Sequence, residues 1–220
     1  MGNKNVSKDL KEHLDDFIKN LKKGEYKDKI YNEYSLQFEL GYYLRDKGYN
    51  VFVEKNIEGE HIKHRTDLFI EDKNNNKKYA IELKYPTNTN GAYPQEMYEF
   101  IKEIKFMEEF VDMDSDNNYA YCLTLVDDDK FYSSTGKKIT DNDTKPYYEC
   151  FRVSEDSKII INSGNYNRPT GKKKGEYSFK LGKTYETEWK NFSDDKADNK
   201  TDDNDNIRYY LISINDSKVE

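Results

Sequence analysis

The sequence predicts an α/β fold with a central mixed β-sheet flanked by helices. Two observations predict it. Segments of helical periodicity alternate along the chain with short runs of strand character, which is how layered α/β proteins read. The core is lean in aliphatic residues but rich in rings, with 20 Tyr and 11 Phe among 220 residues, and each buried ring removes a large area from water. The net charge of −7 is small for this length, so self-repulsion does not oppose compaction. A single domain spanning 1–220 is the expectation at this size.

The elements follow in order. Residues 8–22 place Leu10, Leu14, Phe17, Ile18 and Leu21 at helical spacing, with Gly24 as the stop. A second helix, 30–47, carries Leu36, Leu40, Tyr43 and Leu44 on one stripe and stops at Gly48. Residues 50–54 read as a strand. Two more strands, 65–71 and 79–84, flank the turn-forming run Asp72 to Lys77, and Pro86 ends the second because it has no N–H for a ladder. A third helix begins near Pro94 and aligns Met97, Phe100, Ile101, Ile104, Met107 and Val111. Residues 119–126 read as a buried strand, and 147–153, 159–162 and 207–214 as further strands. The stretch 193–206 has almost no apolar residue and reads as a flexible acidic insert. Residues 168–183 are basic, with Arg168, Lys172, Lys173, Lys174, Lys180 and Lys183 against Glu176 alone. They suit a phosphate-tracking segment or a lysine-rich solvated loop.

Several classes are disfavoured. No apolar run approaches the ~20 residues of a membrane helix, and Met1 to Lys11 is polar, without a signal-peptide core. The two cysteines, Cys122 and Cys150, cannot form a disulfide scaffold or a four-cysteine zinc site. A cytoplasmic protein without a membrane partner is the expectation. No glycine-rich phosphate loop, nucleophile elbow or dinucleotide fingerprint is present. His61 and His64, three apart, suit two metal ligands or a loop pair beside the hairpin; with no Cys pair or third clustered His to support a zinc site, the loop pair is the reading.

The chemistry sits on the 65–84 hairpin. Centred on Asn74 and Asn75, it opposes Leu68 to Ile81, Ile70 to Tyr79 and Asp67 to Glu82. One face then collects Leu68, Ile70, Tyr79, Ile81 and Leu83, a core face. The other collects Asp67, Phe69, Ala80, Glu82 and Lys84. Adjacent carboxylates with hard oxygens suit Mg²⁺, which takes one or two of them and keeps its waters for a phosphate substrate. A solvated face with a cross-strand ion pair is the alternative. On helix 30–47, at about 100° per residue, Glu33 falls about 20° from Leu40, inside the apolar stripe, where a carboxylate needs a partner. A first-turn glutamate favoured by the helix dipole is the alternative for it. Glu39 falls on the margin of the stripe and is the second candidate.

The order Asn32-Glu33-Tyr34-Ser35-Leu36, then Thr66-Asp67, then Glu82-Leu83-Lys84 resembles the PD-(D/E)XK nuclease superfamily, with its restriction-endonuclease-like fold. The resemblance spans about residues 30–126, and Thr66 stands where the family usually has proline. It implies a restriction-endonuclease-like core with extra C-terminal strands, among them Phe192 and Arg208 to Ile212. By this resemblance Asp67 and Glu82 hold Mg²⁺ (Mn²⁺ substituting) with the Leu83 carbonyl, Lys84 assists the nucleophilic water, and Glu33 supports the metal or its water shell. Gln95 falls where some members carry a further polar residue. The implied activity is Mg²⁺-dependent endonucleolytic hydrolysis of DNA, duplex in a restriction or genome-defence context. The basic residues Arg168, Lys172, Lys173 and Lys174 are candidate DNA contacts. Duplex cleavage calls for two active sites, hence a homodimer or a partner subunit. The alternative is a non-catalytic nuclease-like module that contacts nucleic acid or protein.

Overall fold

The computed structural model describes residues 9–23, 25–26, 28–58, 63–87, 92–133, 140–154, 158–172, 174–191 and 207–216. Gly24, His61, Lys173, Phe192 and the acidic insert 193–206 lie outside the described residues.

Helix α1 (Leu10–Lys22) starts at Asp9, whose carboxylate accepts the Glu12 N–H, and it buries Leu10, Leu14, Phe17, Ile18 and Leu21. Helix α2 (Glu33–Asp46) starts in a reciprocal capping box. The Asn32 side chain accepts the Ser35 N–H, and the Ser35 hydroxyl accepts the Asn32 N–H. Strand β1 (Asn50–Glu58) runs past the predicted 50–54. Strands β2 (Lys63–Asp72) and β3 (Lys77–Lys84) form the expected hairpin, with Leu68 opposite Ile81 and Ile70 opposite Tyr79. Helix α3 (Tyr93–Met113) carries Pro94 in its first turn, and strand β4 (Asn118–Val126) follows.

The sheet has six strands in the order β1-β2-β3-β4-β10-β9, where β9 is Lys190–Asn191 and β10 is Arg208–Ser213. It is mixed: β3 and β4 are parallel, joined through α3, and the other neighbours are antiparallel. The molecule is thus α/β, with a mixed sheet flanked by helices. Helices α1 and α2 bury one face, against Leu68, Ile70, Tyr79, Ile81, Leu83 and Leu123. Helix α3 covers the other, against Phe69, Ala80, Ala120 and Cys122.

Two expectations are corrected here. Residues 147–153 are not a strand. Helix α4 (Lys145–Phe151) takes their place, with Pro146 in its first turn and Tyr147 and Phe151 buried one turn apart. The aromatic content that suggested a strand serves a helical stripe instead. The basic stretch is partly ordered: β6 (Gly164–Asn167) and β7 (Ser178–Leu181) pair antiparallel, with Tyr166 stacked on Phe179, and Phe179 meets Tyr98 of α3. Strands β5 (Ile159–Ile161) and β8 (Tyr185–Thr187) form another small pair on the α3 side.

Candidate metal and active site

The β2–β3 ladder ends at the Leu68–Ile81 pair, so Asp67 and Glu82 do not form the cross-strand pair read from the sequence. Beyond it side chains take over the backbone bonding. Asp67 Oδ2 accepts the Leu83 N–H at 2.7 Å, and the buried Thr66 hydroxyl donates to the Ile81 carbonyl at 3.3 Å. Strand β3 continues along β4 through the Lys84–Thr124 pair. Asp67 is therefore lodged where the hairpin parts, against the strand that carries Glu82 and Lys84.

The backbone behind Asp67 is held by α2 and β1. Gln37 Nε2 donates to the Asp67 carbonyl and to Glu54 Oε1, both at 2.9 Å. Glu54 sits opposite Asp67, between the Val53–Leu68 and Lys55–Thr66 pairs, and has φ of 53°. A left-handed conformation is costly for a residue with a Cβ and marks a locally over-determined backbone. Glu54 Oε2 is fixed by Arg65 Nε at 2.7 Å.

The other groups converge on Lys84. Its Nζ lies 3.8 Å from Glu33 Oε1 and 3.6 Å from Glu103 Oε1. Glu33, at the first position of α2, also accepts the Tyr85 N–H through Oε2 at 3.1 Å. Glu82 is only 3% exposed, which corrects the solvated-face alternative: α3 covers this face too. Glu82 Oε1 lies 2.9 Å from His64 Nε2, and His64 Nε2 lies 3.5 Å from Glu103 Oε2. The structure thus brings Glu33, Asp67, Glu82 and Lys84 into one cluster, and adds His64 and Glu103. The Leu83 side chain is buried against α1 and α2 while its N–H serves Asp67.

The electrostatics follow from burial and crowding. Burial, then the Glu82 charge, push Asp67 up to about 8, against the lowering Leu83 N–H bond and Lys84. Burial, then Glu103, push Glu82 up to about 8. Burial pulls Lys84 down, but the carboxylates of Glu103, Glu33, Asp67 and Glu82 outweigh it and hold the ammonium above the usual lysine range. Burial lowers His64, partly offset by Glu103 and Asp67, so its imidazole favours the neutral form.

The remaining candidates lie elsewhere. Glu39 borders an open groove of about 350 Å³ with Lys29, Tyr31, Asn32, Tyr34, Ser35 and Phe38, where its charge acts on Tyr26. Being on the stripe's margin turned it outward. Gln95 donates to Glu99 Oε1 at 2.7 Å, and its Oε1 lies 3.5 Å from the Thr170 hydroxyl. It is the neighbouring Glu96 that feels Lys84 and Glu33. Lys174 pairs with Asp143 at 2.6 Å, Lys172 is exposed, and Arg168 lies beside Tyr98 with its Nε buried and unpartnered. None of the three pairs with a site carboxylate.

Three site residues escaped the sequence reading. Glu103 falls about 100° from Ile104, on the margin of the apolar stripe of α3, the position that made Glu39 only a second candidate on its own helix. Gln37 follows Glu33 by one turn. His64 was read as a loop residue but belongs to β2. Compared with known proteins, the chain matches no family model, no curated protein and no solved structure.

Proposed function

We propose that this protein is a metal-dependent endonuclease that hydrolyses DNA phosphodiester bonds with Mg²⁺, a cytoplasmic enzyme of restriction or genome defence. One observation carries the reading: two carboxylates, the half-buried Asp67 and the buried Glu82, stand beside one lysine, Lys84, at the place where a hairpin opens. The donor set fits a hard divalent ion. Both carboxyls are pushed up to about 8, first by burial and then by a neighbouring carboxylate, so a bound cation would stabilise their ionised forms.

Asp67 and Glu82 would hold the ion, with the Leu83 carbonyl as the third protein donor. An ion held there would supply Lewis-acid polarisation of a phosphoryl oxygen and a lowered pKa for a water at the site. Lys84, kept protonated by its ring of carboxylates, donates to the attacking water or to the charge that develops on the phosphoryl oxygens. Glu33 fixes Lys84 from the solvent side and Glu103 from the α3 side. The internal pairing of Lys84 and of His64 also favours a second reading, a non-catalytic module in which the same groups are a buried ion network.

Nicking of supercoiled plasmid in Mg²⁺, Mn²⁺ or EDTA separates them. The enzyme nicks in metal, stops in EDTA, and loses at least about 10²-fold in Glu82→Ala and in Lys84→Ala, the scale of one preorganised transition-state contact. Absence of cutting on plasmid, single-stranded DNA and RNA overturns hydrolysis in favour of the module. A second-order dependence of double-strand cutting on protein concentration would mark a homodimer.

A further inference from the structure

Behind the Asp67–Glu82 pair, on the α3 side, three potential ligands come together from three elements. His64 Nε2 from β2, a Glu82 oxygen from β3 and a Glu103 oxygen from α3 all lie within 4.8 Å of one another. A first-row ion bound at about 2.0–2.2 Å from nitrogen and oxygen donors sets neighbouring donors roughly 3–3.5 Å apart. The separations already present are 2.9 Å for His64–Glu82 and 3.5 Å for His64–Glu103.

A self-sufficient ion network leaves one acceptor over. Glu103 is 9% exposed, yet its Oε2 has no hydrogen-bond partner. Its other oxygen faces Lys84, so Oε2 is a buried acceptor aimed at the His64–Glu82 contact, 3.5 Å from His64 Nε2 and without a hydrogen bond. Buried acceptors are rarely left so. The His64 ring is also set in advance. It stacks on Phe106 at 4.2 Å between centroids and 15° between planes, which holds Nε2 toward the two carboxylates. Around this point stand Asp67, Glu82, Glu103 and Glu33, with the ammonium groups of Lys84 and Lys102.

We propose that His64, Glu82 and Glu103 form a second divalent-metal site, distinct from the Asp67–Glu82 site and sharing Glu82 with it as a bridging carboxylate. An imidazole with two carboxylates suits Mn²⁺, Fe²⁺ and later first-row ions, whereas Mg²⁺ prefers all-oxygen surroundings. The site therefore discriminates against Mg²⁺. This deepens the proposed metal centre through the shared Glu82, but it does not depend on DNA cleavage.

The test is pulsed electron paramagnetic resonance on the full chain titrated with Mn²⁺. The expected result is ¹⁴N modulation from a directly bound imidazole, lost in His64→Gln and kept in Asp67→Asn. The chain has three histidines, so a His13→Gln/His61→Gln double variant leaves His64 alone and must keep the signal even if His64→Gln fails to fold. Glu103→Gln is expected to weaken the nitrogen-coordinated Mn²⁺ by at least about tenfold, the scale on which single groups at a metal site act. A large excess of Mg²⁺ should leave the ¹⁴N signal in place. Absence of ¹⁴N coupling in the wild type, or its survival in His64→Gln, overturns the proposal. Plasmid nicking plays no part in this readout. A chain that shows the imidazole signal but cuts nothing fails the nuclease reading alone, and one that cuts without the signal fails the second site alone.

Discussion

Glu103 and Glu108 lie about 140° apart around α3, are both nearly inaccessible to water, and are placed for different ends. Glu108 is saturated. Its carboxylate accepts the Gly182 and Lys183 N–H groups at 2.8 Å each and the Tyr185 hydroxyl at 3.0 Å, tying the turn between β7 and β8 to the helix. Replacing it with Ala leaves the Gly182 and Lys183 N–H groups and the buried Tyr185 phenol without their acceptor. We expect a loss of about 2–4 kcal/mol in urea unfolding, since each charged or orphaned bond contributes on the order of 1–3 kcal/mol. Divalent-metal binding by the remaining folded protein should be unchanged. Glu103 has one oxygen unsatisfied. Glu103→Gln should therefore cost much less stability than Glu108→Ala, while changing metal affinity. A Glu103→Gln loss as large as that of Glu108→Ala would make Glu103 a structural strut. Glu108 was visible in the sequence as a carboxylate inside an apolar stripe, the reasoning that found Glu33, whereas Glu103 falls on the margin of that stripe. What the stripe does not reveal is which acceptors find donors, because those come from residues 182–185, remote along the chain.

At the scale of elements, one backbone feature sets the site. In β1, Val51 faces the α1–α2 core, but Ile57 faces the α3 core, although strict alternation would put both on one side. The same switch occurs in β2 between Leu68 and His64, which reaches Glu82 and Phe106 on the α3 side. The break falls at Glu54 and Asp67, where Glu54 adopts φ of 53° and the pair drops out of the ladder. Period two assigned His64 no place near Asp67, so the sequence could not reveal it. By contrast α1, α2, α3 and the β2–β3 hairpin were legible because their apolar spacing and turn residues agree with the fold. The strands β6 to β9 were not, being two to four residues long and mostly polar. Glu54→Val tests the break, because a β-branched residue resists the left-handed region. The expected cost is about 1–3 kcal/mol, together with weakened metal binding as β1 and β2 straighten. Glu54→Gly should restore much of the backbone term but not the Gln37 and Arg65 contacts. Equal stability of the Val and Gly variants would show that the left-handed turn sets nothing. At the other end of the site, Asn32→Ala removes one side of the capping box and should cost about 1 kcal/mol, releasing the first turn that carries Glu33.

For the whole molecule, the buried carboxylates make stability a function of pH and of metal. Asp67 and Glu82 titrate near 3.8 and 4.5 when unfolded and are pushed up to about 8 in the fold. Between those limits the folded chain binds more protons than the unfolded chain, so unfolding free energy falls as pH rises, and levels off above about 8. His64 works the other way. Its folded pKa is lowered from 6.5, so below 6.5 the unfolded chain binds more protons there and stability rises with pH. Lys84 is raised from 10.5 and enters only in the alkaline range. From about pH 6.5 to 8 the carboxylates therefore act unopposed by these two groups. In EDTA the melting temperature should fall across this window, a chain of this size losing roughly 2–4 °C per kcal/mol. A divalent ion binds the ionised carboxylates and stabilises the fold by mass action. The shift produced by Mg²⁺ or Mn²⁺ should thus grow from pH 6.5 to 8, and calorimetry in buffers of different ionisation enthalpy should show protons released on binding. Asp67→Asn should flatten the EDTA profile and reduce the metal-induced shift. A melting temperature in EDTA that climbs through this window would mean that the carboxylates are already ionised in the fold, paired by Lys84 and His64, and that the cluster holds itself together without a metal.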